Sequence, residues 1–404
     1  MPNTEGTNGM TASLLSKEIQ IVLLSAGGEA NDAAIRALWD DDVSAMKLQF
    51  LAQWERATLV LWRRLRKIDG LLSNYAGAAD LEKAARVWEF KLLHLESRLF
   101  QLADLMTTAG IPMMPLKGSG LAYTVYSAFT DRPMNDLDLL IPPDRAMEAW
   151  NLTREKKWTW DADAFPLEKY ALHHHLPPLK DSSGSGVRVE IHTDLCLPNS
   201  PFNMPVTDVW ETSRTIDANG HSMVVPSKAY QMLYTCIHFA WMHAMEDKAW
   251  LSFLDIAAYV QDGGVDWEEF TELAFATRAD TCAYWTLRLA QSLSKIPVPS
   301  RVLLKLKPSL PESVLLRLER HYSMTMFPTD KYCPSVWLND KLFRVGLNRG
   351  KHVVEMHEFV SPDAGTTDEA QAKAPGFWTL LKNHLVSWKR WARYARMTLI
   401  GGRP

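Results

Sequence analysis

The chain has 404 residues, 47% hydrophobic and 23% charged, with 44 Lys and Arg against 47 Asp and Glu. That length supports two or three domains around a large core, and the balance is that of a soluble globular protein. The formal net charge of −3 excludes a global basic field that would gather nucleic acid, which argues against a nucleic-acid partner.

In chain order, residues 1–11 read as disordered, and residues 12–110 as a helical region. Leu14, Leu15, Ile19, Val22 and Leu23 fall at helical spacing. Met46, Phe50, Leu51, Trp54, Leu59 and Trp62 continue the pattern in a second long segment. Trp88, Leu92, Leu95, Leu99, Leu102 and Met106 make a third, which Gly110 and Pro112 stop.

Residues 111–226 change texture and read as an α+β domain with a small mixed sheet. Extended segments are expected at 113–116, 137–141, 172–179, 187–192 and 223–225, and helices at 118–127 and 144–157. The run Asp181 to Gly186, DSSGSG, is a turn, so the segments on either side of it should form a hairpin.

Residues 227–404 return to helical periodicity, with Ser227 as an N-cap and Gly263-Gly264 closing a helix pair. Residues 361–375 read as a flexible loop. The tail from Trp378 to Leu399 is amphipathic and basic, with Lys382, Lys389, Arg390, Arg393 and Arg396 among Trp388, Trp391 and Tyr394. Such a tail reads first as a solvated helix face packed on the bundle by its aromatics.

Cys196, Cys236, Cys282 and Cys333 are scattered and form no C-x-x-C, which argues against a zinc or disulfide framework. The polar N-terminus carries no secretory pattern, and no apolar run reaches the roughly 18 residues that cross a bilayer. A reduced, cytoplasmic protein without a transmembrane segment is expected.

The stretch from Met114 to Ile141 concentrates the chemistry. Asp136 and Asp138 alternate with leucines, so in a strand they share one face. Carboxylates beside an apolar strand are costly unless paired or metal-bound, and magnesium is the usual ion for oxygen ligands. Gly118-Ser119 precedes them at a strand-to-helix junction, where glycine backbone and helix amides favour phosphate. Lys117 and Arg132 could add positive charge. In VRVEIH, Arg188, Glu190 and His192 share the polar face, making Glu190 a possible third metal ligand. His173, His174 and His175 would alternate in a strand and so could not form a zinc cage. His173 and His175 would share a face, and with His192 could line the site. His238 and His243 read as packing or capping residues.

With these residues in view, the chain resembles a bacterial family of nucleotidyltransferases within the polymerase-β-like nucleotidyltransferase superfamily. The resemblance rests on LKGSGLA at 116–122, on RPMNDLDLL at 132–140, on HHHLPPL and VEIH, and on WLSFLDI at 250–256. It covers roughly residues 15 to 290. The superfamily pattern is a Gly-Ser turn, two acids one residue apart, and a third acid on a later strand. Here the third acid is Glu190, where Asp is commoner.

The resemblance implies a metal-dependent transferase that moves a nucleoside monophosphate from a nucleoside triphosphate such as ATP to an acceptor, releasing pyrophosphate. Asp136, Asp138 and Glu190 would be the catalytic acids and would hold two Mg2+ ions. Lys117, Gly118, Ser119 and Arg132 would grip the phosphates. The acceptor, a small molecule or a protein, is not implied. The competing readings are a non-catalytic nucleotide sensor and an enzyme that extends RNA ends.

Overall fold

The computed structural model describes residues 14–246, 248–327, 336–347 and 391–400. The expectations for residues 1–11 and 361–375, for Cys333, and for Lys382, Trp388, Lys389 and Arg390 fall outside them. The fold is α+β.

Four helices come first: α1 (Lys17–Ser25), α2 (Asp32–Leu38), α3 (Ala45–Trp54) and α4 (Thr58–Leu65). The segment expected to run unbroken from Met46 to Trp62 divides because Arg56 adopts φ +61°, a left-handed value that helix cannot continue through. The 31-residue helix α5 (Ala78–Thr108) follows. Its leucines 92, 95, 99 and 102 form a buried stripe, and Gly110 at φ +62° ends it.

The sheet is built from β1 (Met114–Pro115), β2 (Asp136–Leu140), β3 (Trp158–Thr159), β4 (Leu179–Asp181) and β5 (Arg188–His192). Its order is β1-β2-β5-β4-β3. Strands β2 and β5 are parallel, and the other pairs are antiparallel. The hairpin expected around DSSGSG is the β4–β5 pair. Between β1 and β2 lies the short helix α6 (Lys117–Leu121), and after β2 comes α7 (Ala146–Glu155).

The helix expected over 118–127 stops at Leu121, and the strand expected over 172–179 contracts to its last residue. Residues 173 and 174 bend, and His175 makes only an isolated bridge to His192. Pro177 and Pro178 lack the amide hydrogens a ladder needs, which accounts for the break.

After α8 (Val206–Glu211), strands β6 (Arg214–Ala218) and β7 (His221–Val225) make a separate ribbon. Helices α9 (Lys228–Ile237), α10 (Ala249–Asp262), α11 (Trp267–Ala276), α12 (Asp280–Ser294), α13 (Ser300–Leu306), α14 (Glu312–Thr325) and α15 (Val336–Gly346) follow, with further helical turns at His238–Met242 and Arg396–Ile400. The Ser227 hydroxyl caps α9 by accepting from the Tyr230 amide, and Gly263 at φ +69° closes α10.

Alternation along β2 and β5 divides their side chains between two environments. Leu137, Leu139, Val189 and Ile191 enter a core shared with α5 and α7. Asp136, Asp138, Glu190 and His192 take the other face. A second core joins α1–α4 to α9–α14. Trp250 sits fully buried there, donating through Nε1 to Ser25 Oγ at 3.0 Å and through its amide to Glu55 Oε2 at 3.1 Å. In the described part of the tail, Tyr394 and Met397 are buried with Leu14 and Met324, while Arg393 and Arg396 face solvent. Among the described residues no helix is long and apolar enough to cross a membrane.

Candidate functional site

Parallel pairing of β2 with β5 sets Asp136 opposite Arg188 and Asp138 opposite Glu190. Even-numbered residues of both strands therefore rise from one face. The ligand atoms of Asp138, Glu190 and His192 all lie within 4.8 Å of one another. His192 Nε2 is 3.0 Å from Asp138 Oδ1 and 3.5 Å from Glu190 Oε2. Glu190 Oε2 also lies 3.7 Å from His175 Nε2. Asp136 stands two residues earlier on the same face and lines the adjoining cleft.

A cation already occupies part of this arrangement. Lys117 Nζ donates to Asp138 Oδ1 at 2.8 Å. Lys117 opens α6 with φ +46°, a strained value for a residue with a Cβ. Gly118 follows because a Cβ there would lie 2.6 Å from Arg132 Nη1. At Gly120 a Cβ would lie 2.4 Å from the Pro115 carbonyl oxygen. The junction from β1 to α6 is thus held against its neighbours at backbone distance. Ser119 is buried, and its hydroxyl donates to the Leu116 carbonyl at 2.9 Å.

Arg132 is also engaged. Its Nε and Nη2 donate to Asp255 on α10 at 3.0 and 2.7 Å, and its Nη1 to the Pro133 carbonyl at 3.0 Å. Tyr126 donates to the same Asp255 carboxylate at 2.6 Å. This buried pair ties the loop before β2 to the C-terminal helices. The guanidinium still lines the cleft.

The cleft between the sheet, α6, α9 and α10 has a cavity volume of about 60 Å³. Asp136 and Asp138 face it from one side, and Tyr234, His238 and Ser252 from the other. Arg56 and Lys248 add positive charge from distant parts of the chain. The Tyr234 hydroxyl is buried and has no hydrogen-bond partner among the described residues. These cleft residues carry no local motif. In the sequence Tyr234 falls on the apolar face of a helix and His238 reads as a packing or capping residue.

The electrostatics follow from burial working against charge. Burial alone would raise the Asp138 pKa, but the Lys117 ammonium and the His192 hydrogen bond hold it well below the usual carboxylate range. Burial likewise works against Glu190, yet His175 and His192 bring it down to about 2. His192 is pushed down by burial and raised further by its bonds to Asp138 and Glu190, so its net shift is upward. Lys117 is raised, with burial opposed by Asp138, Tyr234 and Glu190. Burial and the neighbouring His175 lower His173 to about 3, and burial lowers His174 and His175 as well.

Two carboxylates and an imidazole with converging ligand atoms make a suitable donor set for a divalent cation. The Lys117 ammonium marks where positive charge is favoured. Asp138, Glu190 and His192 converge most closely, and Asp136 faces the cleft beside them. Neither the curated proteins nor the solved structures give a match to this chain. A family model described as "Uncharacterised nucleotidyltransferase" matches residues 41–295, more than half of the sequence, so the chain belongs to that family and is a nucleotidyltransferase.

Proposed function

We propose that the protein transfers a nucleoside monophosphate from a nucleoside triphosphate to an acceptor nucleophile, a small molecule or a protein, and releases pyrophosphate. The observation that carries this reading is the convergence of Asp138, Glu190 and His192 beside a cleft lined by the Lys117-Gly118 turn. Asp136, Asp138 and Glu190 would hold Mg2+, with His192 Nε2 orienting Asp138 and Glu190 from beside them. Bound there, Mg2+ supplies charge neutralisation on the phosphates and activates the acceptor oxygen.

The chain's own residues do the rest. Gly118 lets the Arg132 guanidinium approach the turn, because no Cβ stands in the way, and so sets positive charge beside the phosphates. Lys117 neutralises charge that develops on the departing pyrophosphate, while Arg56 and Lys248 attract the triphosphate into the cleft. Arg132 adds positive charge to the phosphate side while clamped to Asp255. Ser119 braces the turn through Leu116. His175 stands 3.7 Å from Glu190 and, with His173, would line the site.

Pyrophosphate release from labelled nucleoside triphosphates, with Mg2+ and a mixture of candidate acceptors, tests the proposal. The account expects release by the wild type and none by the Asp136→Asn, Asp138→Asn double variant. Equal release by both would remove the acids from the reaction.

A further inference from the structure

The histidine run does not alternate as a strand would. Residues 173–175 bend, and their rings gather. Ring centroids lie 4.4 Å apart for His173 and His174, 4.1 Å for His173 and His175, and 4.9 Å for His174 and His175. One ring nitrogen of each lies within 4.8 Å of the other two. The expectation that consecutive imidazoles could not converge assumed a strand, and the Pro177-Pro178 break removes that premise.

Two further observations point to a ligand. His175 Nδ1 donates to the Leu176 carbonyl at 2.7 Å, and a carbonyl only accepts, so the proton is on Nδ1. The Nε2 lone pair is therefore free and faces Glu190 Oε2 at 3.7 Å. Metal-bound histidines are oriented by this kind of backbone contact. In addition, His174 Nδ1 is buried with no hydrogen-bond partner among the described residues. Buried nitrogens of that kind are costly and rarely left without a partner.

We propose that His173, His174 and His175 bind one divalent transition-metal ion of the zinc or cobalt type. Three imidazoles with a water in the fourth position make the ligand set of a tetrahedral site. Imidazole donors select such ions over magnesium, which prefers oxygen. Glu190 lies between this site and the Asp138 cluster, so the two sites share a wall but differ in donor chemistry. The site stands on the ring cluster and does not depend on the nucleotidyl-transfer reading.

The test uses the full-length protein, stripped with chelator and titrated with Co2+ without nucleotide and in excess Mg2+. Visible absorption reports the geometry, and X-ray absorption reports the donors. The expected result is one Co2+ per chain, tetrahedral bands, three imidazole nitrogens and no displacement by Mg2+. His173→Ala should weaken Co2+ binding at least about 100-fold, beyond the usual effect of losing an outer contact. Asp136→Asn should bind Co2+ as the wild type does.

Absence of tight Co2+ binding, an all-oxygen donor set, displacement by Mg2+, or undiminished binding in a folded His173→Ala variant would each overturn the proposal. If that variant fails to fold, the donor count on the wild type decides alone. Pyrophosphate release is measured separately, so failure of the catalytic reading leaves this result standing.

Discussion

Lys117 competes with any metal ion for the Asp138 carboxylate. The ammonium sits 2.8 Å from the carboxylate oxygen, so a cation arriving at Asp138 must displace it or share the oxygen. Lys117→Met should therefore tighten Mg2+ binding in the absence of nucleotide, read by calorimetry, while lowering turnover. Weaker Mg2+ binding in that variant would show that Lys117 supports the metal site. Asp138→Asn should cut kcat about 1000-fold, the equivalent of roughly 4 kcal/mol of lost charge stabilisation.

Asp181 has a purely structural counterpart of this chemistry. It is buried, accepting from Arg98 at 2.8 Å and from the hydroxyls of Ser183 and Ser185. Burial pushes its pKa up, but the Ser183 bonds and His94 bring it down to about 2. A depressed carboxylate contributes stability above its unfolded pKa, near 3.8, and loses it as pH falls toward 2. Urea midpoints between pH 5 and pH 2 should fall in the wild type and fall less in Asp181→Asn. At pH 7, Asp181→Ala should cost about 3 kcal/mol, because Arg98 keeps Gln101 and the Trp158 ring but loses its carboxylate.

At the scale of elements, the junction between β1 and α6 is the most tightly specified. Gly120→Ala would drive a Cβ into the Pro115 carbonyl, 2.4 Å away. It should destabilise by about 1–3 kcal/mol in chemical denaturation, the usual cost of overpacking. An unchanged midpoint would mean that β1 and α6 can separate freely.

The same region shows what the sequence made legible. Alternation in DLDLL and VRVEIH gave both site strands within a residue of their ends, and the DSSGSG turn gave the hairpin. That alternation also put the acids and His192 on one face. The contraction of the helix expected over 118–127 was not legible, because no breaker follows Leu121 in the local pattern. The ring cluster at 173–175 was hidden because local alternation was extended through two prolines. Strands β3 and β6 were missed. The first has only two residues, and the second is mostly polar. Asp255 and Arg56 reach the cleft through tertiary contacts, for which a sequence offers no spacing rule.

The described residues form two large cores, and the face carrying Asp136, Asp138 and Glu190 lies between them. Helix α5 supports the apolar side of the sheet, while α1–α4 pack with the C-terminal helices that wall the cleft. Trp250 links these parts through Ser25 and Glu55. Trp250→Ala should cost about 4 kcal/mol, within the range for removing a buried aromatic. A loss below about 1 kcal/mol would show that the N-terminal helices are only loosely attached.

The central claim is that these converging acids move a nucleoside monophosphate. Its most direct measurement is transfer of the α-phosphate label from each of the four nucleoside triphosphates to any acceptor in a metabolite and protein extract, read by mass shift. The predicted result is a wild-type, Mg2+-dependent product heavier than its acceptor by one nucleoside monophosphate, formed about 1000-fold more slowly by Asp138→Asn. Label transfer at an undiminished rate in Asp138→Asn, or no transfer from any triphosphate by folded wild type, would contradict it.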